Sequence, residues 1–212
     1  MKTAAIIPVK TFSKAKTRLG LSAEKKEKIC EIMLEEILYT LSISPLIDKI
    51  IIVTKDEKAL EISKKYNTVH ISDNNESGVN NAVALADHYL LENGFDASIV
   101  FPQDIPYIKT QDIEFILKFK TDSRFVIVVP SRRFDGTNAL VRMPINLMKT
   151  HYDEDSYKIH MSTAKATTRD VSLVFAKRIM LDVDNFEDLQ FLLTQNEKPG
   201  FAKKIREVLD SN

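Results

Sequence analysis

Net charge, cysteine and long apolar runs are what this chain lacks. Its 212 residues carry 30 Lys+Arg against 30 Asp+Glu, a formal charge of zero at pH 7. A neutral chain has no global field to hold a polyanion, which excludes a nucleic-acid coat or a membrane-surface protein and leaves room only for a local basic site. Cys30 is the one cysteine. No intrachain disulfide can form, and a reducing, cytoplasmic compartment is expected. Near the start, the apolar run over residues 4–9 ends at Lys10, too short for a signal-peptide core or a membrane span. His70, His88, His151 and His160 show no zinc-ligand spacing, so a zinc site is not expected. The chain contains neither a P-loop nor the glycine fingerprint of a dinucleotide fold. Without a G-x-S-x-G elbow, and with Cys30 on a helix flank, nothing points to a covalent nucleophile.

What is present is a 44% hydrophobic chain, enough for one core, and the length suits a single domain over 1–212. Short apolar, β-branched runs alternate with helical patterns, and no Pro/Gly/Ser-rich linker or repeat interrupts them. This alternation predicts an α/β domain with a mainly parallel sheet flanked by helices. Strands are expected over 4–9, 49–54, 69–72, 98–102, 125–130, 138–143 and 172–176, and helices over 23–42, 57–66, 79–93, 111–120, 156–167, 186–195 and 200–209. Ser22, Asp56, Thr110 and Asn185 each precede acid in a first turn, the pattern of a helix start. Ile29, Met33, Ile37 and Leu41 recur every four residues and give the first helix one apolar stripe.

In such sheets ligands bind beyond the carboxyl ends of the strands, and the unusual polar chemistry of this sequence falls in those loops. After the first strand, Lys10, Lys14, Lys16 and Arg18 stand within nine residues. They fit either a solvated basic turn or a grip on a triphosphate. The loop SDNNESG opens a helix at Gly78 and carries Asn80 and Asn81, either a helix-capping turn or a surface whose amides read a base edge. Asp104 follows a buried strand, and Asp182 and Asp184 lie on one side of an extended segment. Mg²⁺ takes one or two carboxylates plus phosphate oxygens, so these three form a candidate cradle, with turn formation and capping as the alternatives. DGTNAL is a tight turn entering a strand; Thr137 and Asn138 there suit a small anionic substrate, with Arg132 and Arg133 nearby.

In order along the chain, IIPVKTFSKAKTRL, SGVNNAV, FPQDIPYI, DGTNAL, SYKIH and LDVDNFEDL resemble the CofC family, the 2-phospho-L-lactate guanylyltransferases of coenzyme F420 biosynthesis. The resemblance spans nearly the whole chain. It implies a Rossmann-like GT-A nucleotidyltransferase fold with a mixed, mostly parallel sheet, transfer of GMP from GTP to a three-carbon phosphoacid such as 2-phospho-L-lactate or phosphoenolpyruvate, Mg²⁺ as cofactor, and a homodimer. It implies metal binding by Asp104, Asp182 and Asp184; phosphate binding by Lys10, Lys14, Lys16 and Arg18; a base-side loop with Ser77, Gly78 and Asn80; and a phosphoacid held by Thr137 and Ser156. Lys16 and Arg18 would stabilise the departing pyrophosphate, and Lys16, Arg18 and Asp104 form the expected catalytic set. Two departures stand out. The family usually has glycine just before the serine matched by Ser156, whereas this chain has Asp153, Glu154 and Asp155, and Gln103 replaces a smaller residue beside Asp104. Other nucleotidyltransferases, cytidylyl or molybdopterin-type, and a non-catalytic nucleotide-binding module are the competing readings.

Overall fold

The computed structural model describes residues 1–121, 123–153 and 155–211. Seven strands, β1 (Thr3–Pro8), β2 (Lys49–Thr54), β3 (Thr68–Ser72), β4 (Ala97–Val100), β5 (Phe125–Pro130), β6 (Thr137–Met143) and β7 (Asp170–Leu173), form one sheet in the order β3-β2-β1-β4-β6-β5-β7. β6 runs against β4 and β5, and every other neighbouring pair is parallel. The helices are α1 (Ala23–Ser42), α2 (Glu57–Ser63), α3 (Val79–Glu92), α4 (Thr110–Leu117), α5 (Ser156–Thr167), α6 (Phe186–Thr194) and α7 (Pro199–Asp210). None of them is long and apolar enough to cross a membrane.

Side-chain alternation along the strands explains the layers. Ala5 and Ile7 point into a core shared with α1, α4, α6 and α7, whereas Ala4 and Ile6 point into a second core closed by α3 and α5. Both faces are covered, so the central strands read as continuous apolar runs. The periodic stripe of α1 is fully buried at Ile29, Met33 and Ile37.

Expected and observed elements agree closely, with three informative shifts. Residues 64–66 tighten into a 3₁₀ turn after α2. Thr110 is the first residue of α4 and not its cap; the Asp112 carboxylate accepts the Lys109 N–H at 2.8 Å and closes that end. The last strand forms over Asp170–Leu173, earlier than expected, because register with β5 pairs Val126 with Val171 and Val128 with Leu173. Ser22, Asp56 and Asn185 accept first-turn N–H groups as expected.

Candidate active site

A cleft of about 580 Å³ opens at the carboxyl ends of β1, β2 and β4. Lys10, Lys14, Lys16 and Arg18 line it from the loop after β1, Gly78 from the start of α3, and Asp104 and Asp184 from the far side. The basic loop is shaped by two short 3₁₀ turns, Phe12–Lys14 and Thr17–Leu19, with Phe12 and Leu19 buried beneath it. Lys16 sits between these turns in a left-handed conformation, φ 52°. That backbone turns its side chain inward: the ammonium bonds Asp104 Oδ2 and, at 3.1 Å, Asp184 Oδ1. Burial pulls the Lys16 pKa down, but the charges of Asp104 and Asp184 outweigh it and hold the ammonium above its ordinary value. Lys10 and Arg18 make no ion pair among the described residues and face the cleft as free cations.

Asp104 and the D-x-D segment meet through the backbone. Val183 N–H donates to Asp104 O at 3.0 Å, which fixes Asp182 and Asp184 on either side of that contact. Burial first, then the nearby Asp104 charge, pushes the Asp182 carboxyl up to about 6 against a hydrogen bond from Asn138. Among the described residues no three His, Cys, Asp or Glu side chains close on one point tightly enough to hold an ion alone. Asp104 Oδ1, however, is buried without a hydrogen-bond partner. A carboxylate lone pair left open there, beside two further carboxylates, fits a divalent ion that completes its shell with phosphate oxygens.

Beyond Asp184 lies a second cavity of about 440 Å³, lined by Asp135, Gly136, Asp155, Asp182 and Asp184. Asp184 faces both spaces. The DGTNAL turn reaches this mouth because β6 is antiparallel, so its first residues lie beside the last residues of β4. Thr137, Asn138 and Ser156 form the wall and not the lining: all three are buried. Ser156 Oγ donates to Thr137 Oγ1 at 3.2 Å, and Asn138 Nδ2 donates to Ile179 O at 3.0 Å. Arg132 and Arg133 turn away and pair with Asp188 in the first turn of α6, at 3.1 and 2.6 Å.

Four residues passed over in the sequence shape the site. Asp56 caps α2 and also accepts the Phe12 N–H at 2.8 Å, holding the basic loop. The Glu76 carboxylate accepts the Thr11 N–H and hydroxyl and pairs with Lys14 and Lys55. Lys14, then Thr11, hold it well below the usual carboxylate range. His160 Nε2 accepts the His151 N–H at 2.8 Å, so its proton resides on Nδ1, which donates to Thr137 Oγ1 at 2.9 Å. Burial first, then His151 and Arg142, lowers its pKa to about 3. Tyr152 lines the first cleft and packs edge-on against His160. Asp56 had a local signal as a helix start, Glu76 and His160 lie within the segments SDNNESG and SYKIH, and Tyr152 had none.

Asn80 takes a place unlike the one expected of it. Its Oδ1 accepts the Tyr152 N–H at 2.8 Å and its Nδ2 donates to Asp153 at 3.3 Å. It therefore ties the start of α3 to the segment separating the two cavities. Gly78, φ 98°, needs glycine there, whereas Ser77 is exposed and outside the cleft lining. Of the acidic stretch, Asp153 lines the first cavity and Asp155 the second, and Glu154 lies outside the described residues.

This chain is similar to known proteins over nearly its whole length. The phosphoenolpyruvate guanylyltransferase of Conexibacter woesei is 32% identical over 195 residues, covering 91% of this chain and 87% of that protein. The 2-phospho-L-lactate guanylyltransferase of Methanobrevibacter smithii is 30% identical over 205 residues, covering 96% and 89%. Among solved structures, a Desulfovibrio desulfuricans protein assigned as a nucleotide-diphospho-sugar transferase superposes with a TM-score of 0.76 at 16% identity, covering 98% and 95% of the two chains. A 4-diphosphocytidyl-2C-methyl-D-erythritol synthase superposes at 0.62 and 14%, covering 90% and 97%. At such identities the structural likeness shows the fold, the GT-A-like nucleotidyltransferase sheet. The sequence family described as guanylyl transferase, CofC like, matches residues 3–209, and the chain belongs to it: it is a nucleotidyltransferase of the guanylyl-transferring kind.

Proposed function

We propose that the chain transfers GMP from GTP to a three-carbon phosphoacid, 2-phospho-L-lactate or phosphoenolpyruvate, as a step of coenzyme F420 biosynthesis. The observation that carries this reading is Asp184, which lines two neighbouring spaces: one runs back to the basic loop and the other, about 440 Å³, is an open depression. A nucleotide in the first and a small acceptor in the second would meet there. The names of the relatives from Conexibacter woesei and Methanobrevibacter smithii support these two acceptors.

An acceptor phosphate oxygen attacks the α-phosphorus of GTP. The new O–P bond forms as the bond from the α-phosphorus to the β-phosphate oxygen breaks, and the electron pair leaves with pyrophosphate. The attacking oxygen is already anionic at pH 7, so no general base is needed. Lys10 and Arg18 hold the triphosphate, and Lys16 and Arg18 meet the charge that develops on pyrophosphate. Asp104, Asp182 and Asp184 would hold Mg²⁺, which when bound would supply positive charge to neutralise the phosphates. Among the described residues no cationic side chain lines the second cavity. A divalent ion held by Asp182 and Asp184 would supply the counter-charge that an anionic acceptor needs beside this wall of aspartates. Thr137, Asn138 and Ser156 keep the shape of that wall.

Pyrophosphate release with GTP, CTP and ATP against 2-phospho-L-lactate, phosphoenolpyruvate and 3-phosphoglycerate tests the reading. Turnover is expected with GTP and one of the first two acceptors. Turnover only with CTP, or only with phosphoglycerate, would replace it.

A further inference from the structure

At the β3 end of the cleft one carboxylate is held by a single side-chain donor. Asp73 follows β3 and Asp104 follows β4, three strands apart in the sheet, roughly 14 Å at about 4.8 Å per spacing. Between them the cleft is walled by Val9, Val53, Val79 and Ala82, an apolar slot suited to a flat ring. Asp73 is only 8% exposed. Asn81 Nδ2 donates to its Oδ1 at 3.3 Å, and its Oδ2 has no partner among the described residues. The other candidates for reading a base are occupied: both ends of the Asn80 amide hold the 152–153 segment, and Glu76 is engaged by Thr11, Lys14 and Lys55. Beside Asp73, α3 begins. Ala82 N–H is the first to bond inside it, to Gly78 O at 3.1 Å, so the N–H groups of Val79, Asn80 and Asn81 have no intrahelical acceptor.

The slot thus offers an acceptor edge next to a donor edge. Guanine presents the complement: N2–H and N1–H donors beside the O6 acceptor. Adenine and cytosine put a ring-nitrogen lone pair where guanine has N1–H, and a carboxylate facing it leaves two buried acceptors unpaired. We propose that Asp73 is the residue that selects guanine, its free oxygen accepting from the base N–H groups while first-turn amides of α3 donate to O6. Asn81 is its positioning residue. The assignment rests on the reading of this cleft as a GTP site and names what makes it one.

Equilibrium titration of the full-length chain with GTP, ITP and XTP tests this separately from catalysis. ITP lacks the N2 amino group, and the wild type is expected to bind it about 10-fold more weakly than GTP. In Asp73→Asn the carboxylate becomes an amide whose N–H can meet the C2 oxygen of xanthine. GTP binding should fall about 100-fold and XTP binding should rise about 10-fold or more over wild type. A gain of XTP binding is not produced by damage to the fold. Equal binding of GTP and ITP by the wild type, or unchanged GTP:XTP preference in Asp73→Asn, would overturn the proposal. A wild type that prefers GTP to ITP yet transfers GMP to neither phosphoacid would sink the proposed reaction and leave the Asp73 assignment standing.

Discussion

Lys16 bridges Asp104 and Asp184 at the point where the basic loop crosses to the carboxylates, and this one ammonium ties the two sides of the cleft together. Removing a charge contact made mainly in the transition state costs about 2–4 kcal/mol. Asp104→Asn should therefore lower the rate of pyrophosphate release by roughly two to three orders of magnitude with the fold intact by circular dichroism, and added Mg²⁺ should not restore it. Lys16→Met should slow turnover to a similar degree, and it also leaves Asp104 and Asp184 facing each other without a cation. Its thermal stability in EDTA is expected to drop below that of wild type, and Mg²⁺ to recover part of the difference. Both aspartates were visible in the sequence, Asp104 as an acid following a strand and Asp184 beside Asp182 in an extended segment. Their pairing with Lys16 was not, since residues 16, 104 and 184 meet only through the sheet order.

At the scale of elements, loop geometry is controlled by side chains that serve two segments at once. Asp56 accepts the Ala59 N–H at 3.0 Å as the α2 cap and the Phe12 N–H at 2.8 Å as an anchor of the basic loop. A lost cap alone costs about 1 kcal/mol, up to about 2. Asp56→Ala should exceed that range in urea unfolding and also raise KM for the nucleotide, because it frees Phe12. His160 likewise joins two segments, bonding Thr137 and the His151 backbone. Its folded-state pKa of about 3 lies below the model-peptide value of 6.5, so the unfolded chain binds the proton and the folded chain resists it. No stability is lost above pH 6.5; as pH falls toward 3 the folded state loses up to about 1.4 kcal/mol per unit. Urea unfolding at pH 7 and pH 5 should show a smaller acid loss for His160→Gln than for wild type. An equal loss in both proteins would place the acid sensitivity elsewhere. Helix starts such as Ser22, Asp56 and Asn185 were legible because a cap acts on residues three positions away. The second partner of Asp56 lies 44 positions away and carries no local pattern.

At the scale of the whole molecule, the neutral total averages a basic loop on one side of the cleft and carboxylates on the other. GTP with Mg²⁺ should stabilise the folded state by about 2.7 kcal/mol at one hundred times its dissociation constant, a clear upward shift in Tm, and chelation should abolish most of it. A shift of equal size in EDTA would separate nucleotide binding from the metal. The sequence by itself determined the alternation of strands and helices, since apolar period and capping act over a few residues, and it marked the loops that carry polar chemistry. It also carried the family, through six short segments in order. Only the tertiary structure decided what those segments do together. Reversal of β6 brings the DGTNAL turn to the edge at which β4 ends and buries Thr137 and Asn138, while the Asn80 amide is taken up by Tyr152 and Asp153 and only one oxygen of Asp73 has a side-chain donor among the described residues. These outcomes depend on which strands are neighbours and which donors find acceptors across dozens of residues, and a pattern confined to adjacent positions does not encode them.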